Sequence, residues 1–300
     1  MCTTPHLAKA ADPMRDRVLL IVLACVLALC FCPTGLCSEI PADNDKISIK
    51  TTFTPREIRD YKIDAVITGK TASSDSESAK PIDLKAAFHL VVRHRYGQRE
   101  GDGLLPVEIS LLKGQAQADS NTLELNPSLY PKLTALVDRE WQVTDIFGMP
   151  QERIAETLTG INYANHIVLF YLPGASEPRR PGDKWTYALK IPALNESYEF
   201  TNQIVRLETI DGIPAAVVRQ EIVGKPCSPQ ENTRKASFKA ITESVFAING
   251  GRLLKSQTEC QISTTDQDDA ASAKTTKAAA FRSQATVQID ISPFRGSDSQ

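Results

Sequence analysis

The chain has 300 residues, with 34 basic and 36 acidic side chains and a formal net charge of −2. That length can bury a sizeable core in one or two domains. The balanced charge, with no long run of one sign, excludes capture of nucleic acid, which needs a concentrated basic face.

The N-terminus reads as a targeting segment. Arg15 and Arg17 precede an unbroken apolar run from Val18 to Cys32, then Pro33-Thr34-Gly35-Leu36-Cys37, and the chain turns polar at Ser38. Basic, apolar and small-residue regions in that order make residues 1–37 a secretory signal peptide, with cleavage after Cys37. Two rival readings stay open. Val22-Leu23-Ala24-Cys25 resembles the lipobox of bacterial lipoproteins, whose cysteine is acylated. An uncleaved segment would instead be an anchor, although its apolar run is shorter than the roughly 20 residues that span a bilayer. The protein is therefore expected to be exported, periplasmic or extracellular. It is membrane-associated only if Cys25 is lipidated or the segment is retained.

Residues 38–174 form a first β unit with a helical connection. Ile47, Ile49 and Phe53 alternate within Lys46 to Phe53, and Tyr61, Ile63, Ala65 and Ile67 repeat the pattern. Period two marks a strand buried on one face. After a polar loop, Ala72 to Lys80, comes the clearest strand, with Leu84, Ala86, Phe88, Leu90 and Val92 inward and Asp83, Lys85, Arg93 and Arg95 outward. Gly97 to Gly103 turns it back into Leu105, Val107, Ile109 and Leu111, and Leu123 with Leu125 begin another strand. A run around Asp138, Leu136 to Val143, aligns weakly with Ala247 to Leu254, which suggests two related units. Pro150 starts a helix in which Ile154 and Leu158 share a face, and Gly160 ends it. Asn162 to Tyr171 fits a second helix or a strand.

Residues 175–293 form a C-terminal antiparallel unit, and 294–300 a tail. Pro181-Gly182-Asp183-Lys184 is a turn that leads into a strand with Trp185, Tyr187, Leu189 and Ile191 on one face. Asp211-Gly212 makes a two-residue hairpin that sets Val205 opposite Val218 and Leu207 opposite Ala216. Tyr198 and Phe200 have the opposite parity, which implies a bulge near Asn202 or Gln203. At Asn249-Gly250-Gly251 a three-residue loop pairs Phe246 with Leu254, Ala240 with Cys260 and Phe238 with Ile262. A polar stretch from Thr264 to Lys277 follows. Ala285, Val287, Ile289 and Ile291 then form a last strand that stops at Pro293.

The fold class is thus mainly β: a curved antiparallel sheet, a half-barrel of one unit or of two related ones, whose concave face one or two short helices cover. Thr242, Ser244, Ser256 and Thr258 fall in the middle of its inner face, between Phe238, Phe246 and Leu254, with Trp185 and Tyr187 able to join that wall. These nine residues are the candidate ligand-binding set. Small polar groups with apolar ends are how a pocket is usually built, and small residues also let a covering element approach.

Histidines give no metal site: His89 and His94 point to opposite faces of one strand, and His166 stands apart. No cofactor motif or nucleophile constellation appears, so a non-enzyme is expected. If the signal is removed, Cys227 and Cys260 are the remaining cysteines, and an oxidising compartment invites a disulfide between them. Register argues for a buried free Cys260 instead, because the two lie about five strand positions apart, roughly 17 Å.

The Pro181–Trp185 turn, the Asp211-Gly212 hairpin and the Gly250-Gly251 hairpin, behind a signal sequence, resemble a group of uncharacterised bacterial exported proteins whose half-barrel is similar to periplasmic lipoprotein carriers. The resemblance implies a cell-envelope protein holding a lipid or other apolar ligand on its concave face. The alternative is an envelope scaffold or protein-interaction module without a small ligand.

Overall fold

A computed structural model describes residues 46–72, 82–99, 101, 103–118, 121–126, 132–148, 167–191, 196–226, 234–266 and 282–295. The alternating segments become long strands. In chain order they are β1 (Lys50–Thr51), β2 (Ile58–Ala72), β3 (Ile82–Tyr96), β4 (Leu105–Ala118), β5 (Asn121–Leu125), β6 (Leu133–Val137) and β7 (Val143–Phe147). The second half adds β8 (Lys184–Ile191), β9 (Glu196–Ile210), β10 (Ile213–Pro226), β11 (Arg234–Ala247), β12 (Asn249–Gly250), β13 (Leu253–Asp266) and β14 (Arg282–Pro293).

Twelve of these strands make one sheet, in the order β7-β6-β4-β3-β2-β14-β13-β11-β10-β9-β8, with β5 added on β4. All of its pairings are antiparallel. The two ends of that path meet: Gln142 Nε2, just before β7, donates to the Ala188 carbonyl of β8 at 3.1 Å. The sheet is nearly closed into a barrel, further closed than the half-barrel expected from sequence. Pairing of β2 with β14 makes the N-terminal and C-terminal strand runs parts of one wall.

Closing a sheet requires extra local twist, which bulges supply. Register shifts occur between Val91 and Val92 in β3 against β4, Leu136 and Val137 in β6 against β7, Val217 and Val218 in β10 against β9, and Val245 and Phe246 in β11 against β13. Two of them correct the sequence reading. In β9 the extra residue is Val205, not Asn202 or Gln203, so Val218 faces Ile204 while Leu207 still faces Ala216. In β13 the extra residue is Leu254, so Phe246 pairs with Leu253, although Ala240–Cys260 and Phe238–Ile262 pair as expected. In each case the unpaired residue leaves the inner row: Val205 is exposed, and Leu254 packs with Ala215, Val217 and Val245 in a cluster separate from the main core.

One end of the barrel is held by two crossing segments. An N-terminal arm carries Ile47 and Ile49 into the core, and β1 pairs in parallel with β12 at the tip of the β11–β13 hairpin. That contact needs the glycine at 251, whose φ is +55° and whose missing Cβ leaves room for Thr51. The second segment is a strap, residues 167–180. It opens with a 3-10 turn, Ile167–Phe170, the only helical element among the described residues. Every side chain from Ile167 to Leu172 is buried. Arm and strap join through Ile47 and Arg179, which exchange backbone hydrogen bonds of 2.7 and 2.8 Å, and through Ile49 N to Ala175 O at 2.9 Å. The helix expected from Pro150 to Gly160 lies outside the described residues.

Aromatic side chains fill this end. Phe53 stacks on Tyr96 at 3.9 Å and meets Trp141 edge-on at 4.7 Å, while Phe170 of the strap contacts Tyr61 at 4.7 Å and His94 at 4.5 Å. Each large side chain fully removed from water contributes about 1.5–3 kcal/mol, so the arm and strap bring much of the core with them.

Candidate functional site: the barrel interior

Antiparallel register stacks the inward side chains in rungs. One rung runs Trp185, Asn202, Gln220, Thr242, Thr258 and Ile289 across β8, β9, β10, β11, β13 and β14. The next, toward the strap, is Ile204, Val218, Ser244, Ser256 and Ile291. Polar groups therefore form a patch two rungs deep, with no solvent exposure at Asn202, Gln220, Thr242, Ser244 and Ser256.

The expected serine and threonine residues satisfy one another. Thr242 Oγ1 and Thr258 Oγ1 lie 2.9 Å apart, and Ser244 Oγ and Ser256 Oγ 3.0 Å apart. The amides beside them are less complete. Gln220 Nε2 donates to Asn202 Oδ1 at 3.0 Å, but Asn202 Nδ2 and Gln220 Oε1 are buried without a partner among the described residues. An unsatisfied buried group costs about 1–3 kcal/mol. A donor and an acceptor side by side suit a bound water or the polar group of a ligand.

Away from the strap the rungs turn apolar. Tyr187, Phe200, Ile222, Ala240, Cys260, Val287, Ile67 and Ala86 form one, and Leu189, Tyr198, Gly224, Phe238, Ile262, Ala285, Gly69 and Leu84 the next. Tyr187 stacks on Phe200 at 4.4 Å, and Tyr198 meets Phe238 edge-on at 5.9 Å. A Cβ at Gly224 would lie 3.1 Å from both Tyr198 and Phe238, so the glycine makes space for those rings. On these two rungs Leu84, Ala86, Tyr187 and Phe238 are only half-buried, while their other inward side chains are buried; Ala65 and Phe88, which continue the rung of Thr258 and Ile289, are half-buried as well.

The nine candidate residues are thus distributed unevenly. Tyr187 and Phe238 line the half-covered end; Thr242, Ser244, Phe246, Ser256 and Thr258 lie in the closed part. Trp185 holds the strap, donating from Nε1 to the Pro173 carbonyl at 2.9 Å with Arg179 over its ring at 4.6 Å. Leu254 is on the other side of the wall. Asn202, Gln220, Leu84 and Phe88 join the inner surface. Gln220 was legible from its parity with Val218 and Ile222, whereas the misplaced bulge hid Asn202.

Cys260 is a free, buried thiol, and Cys227 lies outside the described residues. Burial, with a smaller contribution from Glu259, pushes its pKa up to about 12. His94 is fully buried inside, while His89 faces out and pairs with Asp64 at 2.7 Å. Among the described residues, no group of three or more His, Cys, Asp or Glu could hold a metal ion.

The outer face is charged. Lys62–Asp64, Arg93–Asp60, Lys132–Glu108 and Arg206–Glu208 are ion pairs of 2.7–3.1 Å on outward positions. An apolar interior under a charged exterior is the reverse of a membrane-spanning barrel, whose apolar band faces lipid. No helix among the described residues is long and apolar enough to cross a membrane.

Fold and interior define a nearly closed antiparallel β-barrel whose interior is filled mostly by apolar side chains. No protein-family profile matches the sequence, and no curated protein matches it. Among solved structures the chain is similar to DynF from the dynemicin biosynthesis pathway of Micromonospora chersina, at 8% identity and a TM-score of 0.22, over 89% of this chain and 93% of that one. It is also similar to Pseudomonas aeruginosa OpdQ, at 9% identity and a TM-score of 0.23 over 79% and 98%. A Vibrio parahaemolyticus domain of the outer membrane lipoprotein-sorting kind shares 9% identity, with a TM-score of 0.15 over 78% and 86%. Scores this low carry no argument about function.

Proposed function

We propose that this is an exported cell-envelope protein that holds a lipid or other apolar molecule inside the barrel. The observation that carries the reading is the half-covered inner surface of Leu84, Ala86, Phe88, Tyr187 and Phe238, on a wall whose outward side chains are charged. Apolar groups left partly in water inside a concavity mark a ligand site, since covering them recovers about 25 cal/mol per Å². The ligand's apolar body lies along these rungs, and any polar group it carries reaches toward Asn202 and Gln220. The order of basic, apolar and small residues at 1–37, read as a signal peptide, supports the export part of the proposal. No catalytic step and no cofactor is part of the proposal.

A scaffold role is the second reading, favoured by the seam between β7 and β8, where among the described residues Gln142 makes the one hydrogen bond across. A free strand edge can pair with another chain.

Fluorescence titration with N-phenylnaphthylamine separates the two. Saturable binding that is weakened about tenfold or more by Phe88→Asp or Phe238→Asp supports the carrier, since each places a charge on an apolar contact surface. Absence of saturable binding in protein freed of lipid rejects it.

A further inference from the structure

A second concavity lies outside the barrel wall. Where β13 bulges at Leu254 it parts from β14, whose pairing with β13 ends at Ser256 and Ile291. The gap forms a cleft of about 430 Å³ between the start of β2, the β9–β10 hairpin, Arg252 and the end of β14. Ile58, Ile210, Ile213, Leu254, Pro293 and Phe294 supply apolar walls, and Ile58 is 47% exposed.

Three carboxylates, Glu57, Asp60 and Asp211, and three guanidiniums, Arg59, Arg252 and Arg295, line it, so the formal charges balance but the pairing is uneven, because Asp60 is held by Arg93 from outside the cleft. Glu57 pairs with Arg59 at 2.7 Å, Asp60 with Arg93 through two bonds of 2.8 Å, and Asp211 with Arg295 at 3.6 Å. Every carboxylate lining the cleft therefore has a guanidinium already. Among the described residues Arg252 has no carboxylate partner, and its backbone carbonyl accepts from Ala247 N at 2.9 Å. Tyr61 lines the same cleft.

We propose that this cleft binds a small anionic amphiphile, a phosphate or carboxylate on a short apolar chain, with Arg252 pairing the anion and Ile58, Leu254 and Phe294 covering the chain. A guanidinium on a fixed backbone is suited to a planar or tetrahedral oxyanion. The site is separate from the lumen and does not depend on the carrier reading.

Calorimetric titration of the full chain with hexyl phosphate, inorganic phosphate and hexyltrimethylammonium tests it. Hexyl phosphate is expected to bind at least about tenfold more tightly than inorganic phosphate, because its chain is buried, and the cation is expected not to bind. Arg252→Glu should weaken hexyl phosphate about tenfold or more while leaving the melting temperature unchanged, since Arg252 makes no ion pair with any described residue. Equal binding of hexyl and inorganic phosphate, equal binding of the cation, no effect of Arg252→Glu, or no binding of hexyl phosphate would each overturn the proposal.

Discussion

Asn202 and Gln220 face each other across β9 and β10 inside the barrel, joined by one hydrogen bond of 3.0 Å and each keeping one buried polar atom unpartnered. Such a pair is worth little to stability as it stands. Gln220→Leu should destabilise the protein by about 1–3 kcal/mol, because it leaves Asn202 wholly unsatisfied, whereas the double replacement Asn202→Leu with Gln220→Leu should come back near the parent. Urea unfolding of the three proteins measures this; additive losses would mean that both amides have partners in solution.

Trp185 links the wall to the strap through Pro173 and Arg179. Trp185→Phe should cost about 1–2 kcal/mol from the lost hydrogen bond, and Trp185→Ala about 3–5 kcal/mol. Cleavage by protease within residues 167–180 should accelerate in both. Strap protection unchanged in Trp185→Ala would show that the arm alone retains it.

The bulge in β13 makes neighbouring leucines unequal. Leu253 is 1% exposed in the main core, while Leu254 packs on the other side of the wall against the separate cluster of Ala215, Val217 and Val245. Leu253→Ala should lose about 2–5 kcal/mol, and Leu254→Ala distinctly less, because only the first opens a core cavity. The reverse order in thermal unfolding would restore the bulge-free register read from the sequence.

Cys260 should resist thiol reagents at pH 8 until the protein unfolds, because burial keeps it protonated. Its raised pKa also fixes the sign of a pH effect. The unfolded thiol ionises near its ordinary pKa of about 8.5 while the folded one does not, so its contribution is intact below that pH and is lost as pH rises toward 12. Rapid native labelling at pH 8 would contradict the buried position.

Most of the wall could be read from the residues themselves. Period-two alternation located the inward faces of β2, β3, β4, β8 and β14, and Asp211-Gly212 set the β9–β10 hairpin as a two-residue turn. Bulges were harder, because parity reveals that one exists without fixing where. A displacement of two or three residues, from Asn202–Gln203 to Val205, was enough to turn Asn202 from a bulge into an inward amide. Closure was also hidden: it depends on β7 meeting β8 and β2 meeting β14, pairings between residues far apart in the chain that local periodicity does not encode. The candidate pocket shifted for the same reason. Small polar residues at Thr242 and Ser244 marked an inner face correctly, but their cross-strand partners and complete burial follow from packing of the whole barrel.

A ligand held inside the barrel is most directly detected by the mass of the protein exported by a bacterial host, taken under native and then denaturing conditions. An additional mass of lipid size should accompany the native protein, be lost on denaturation and be diminished in Phe238→Asp. A native mass equal to the bare polypeptide, or a ligand-free dimer, would contradict it.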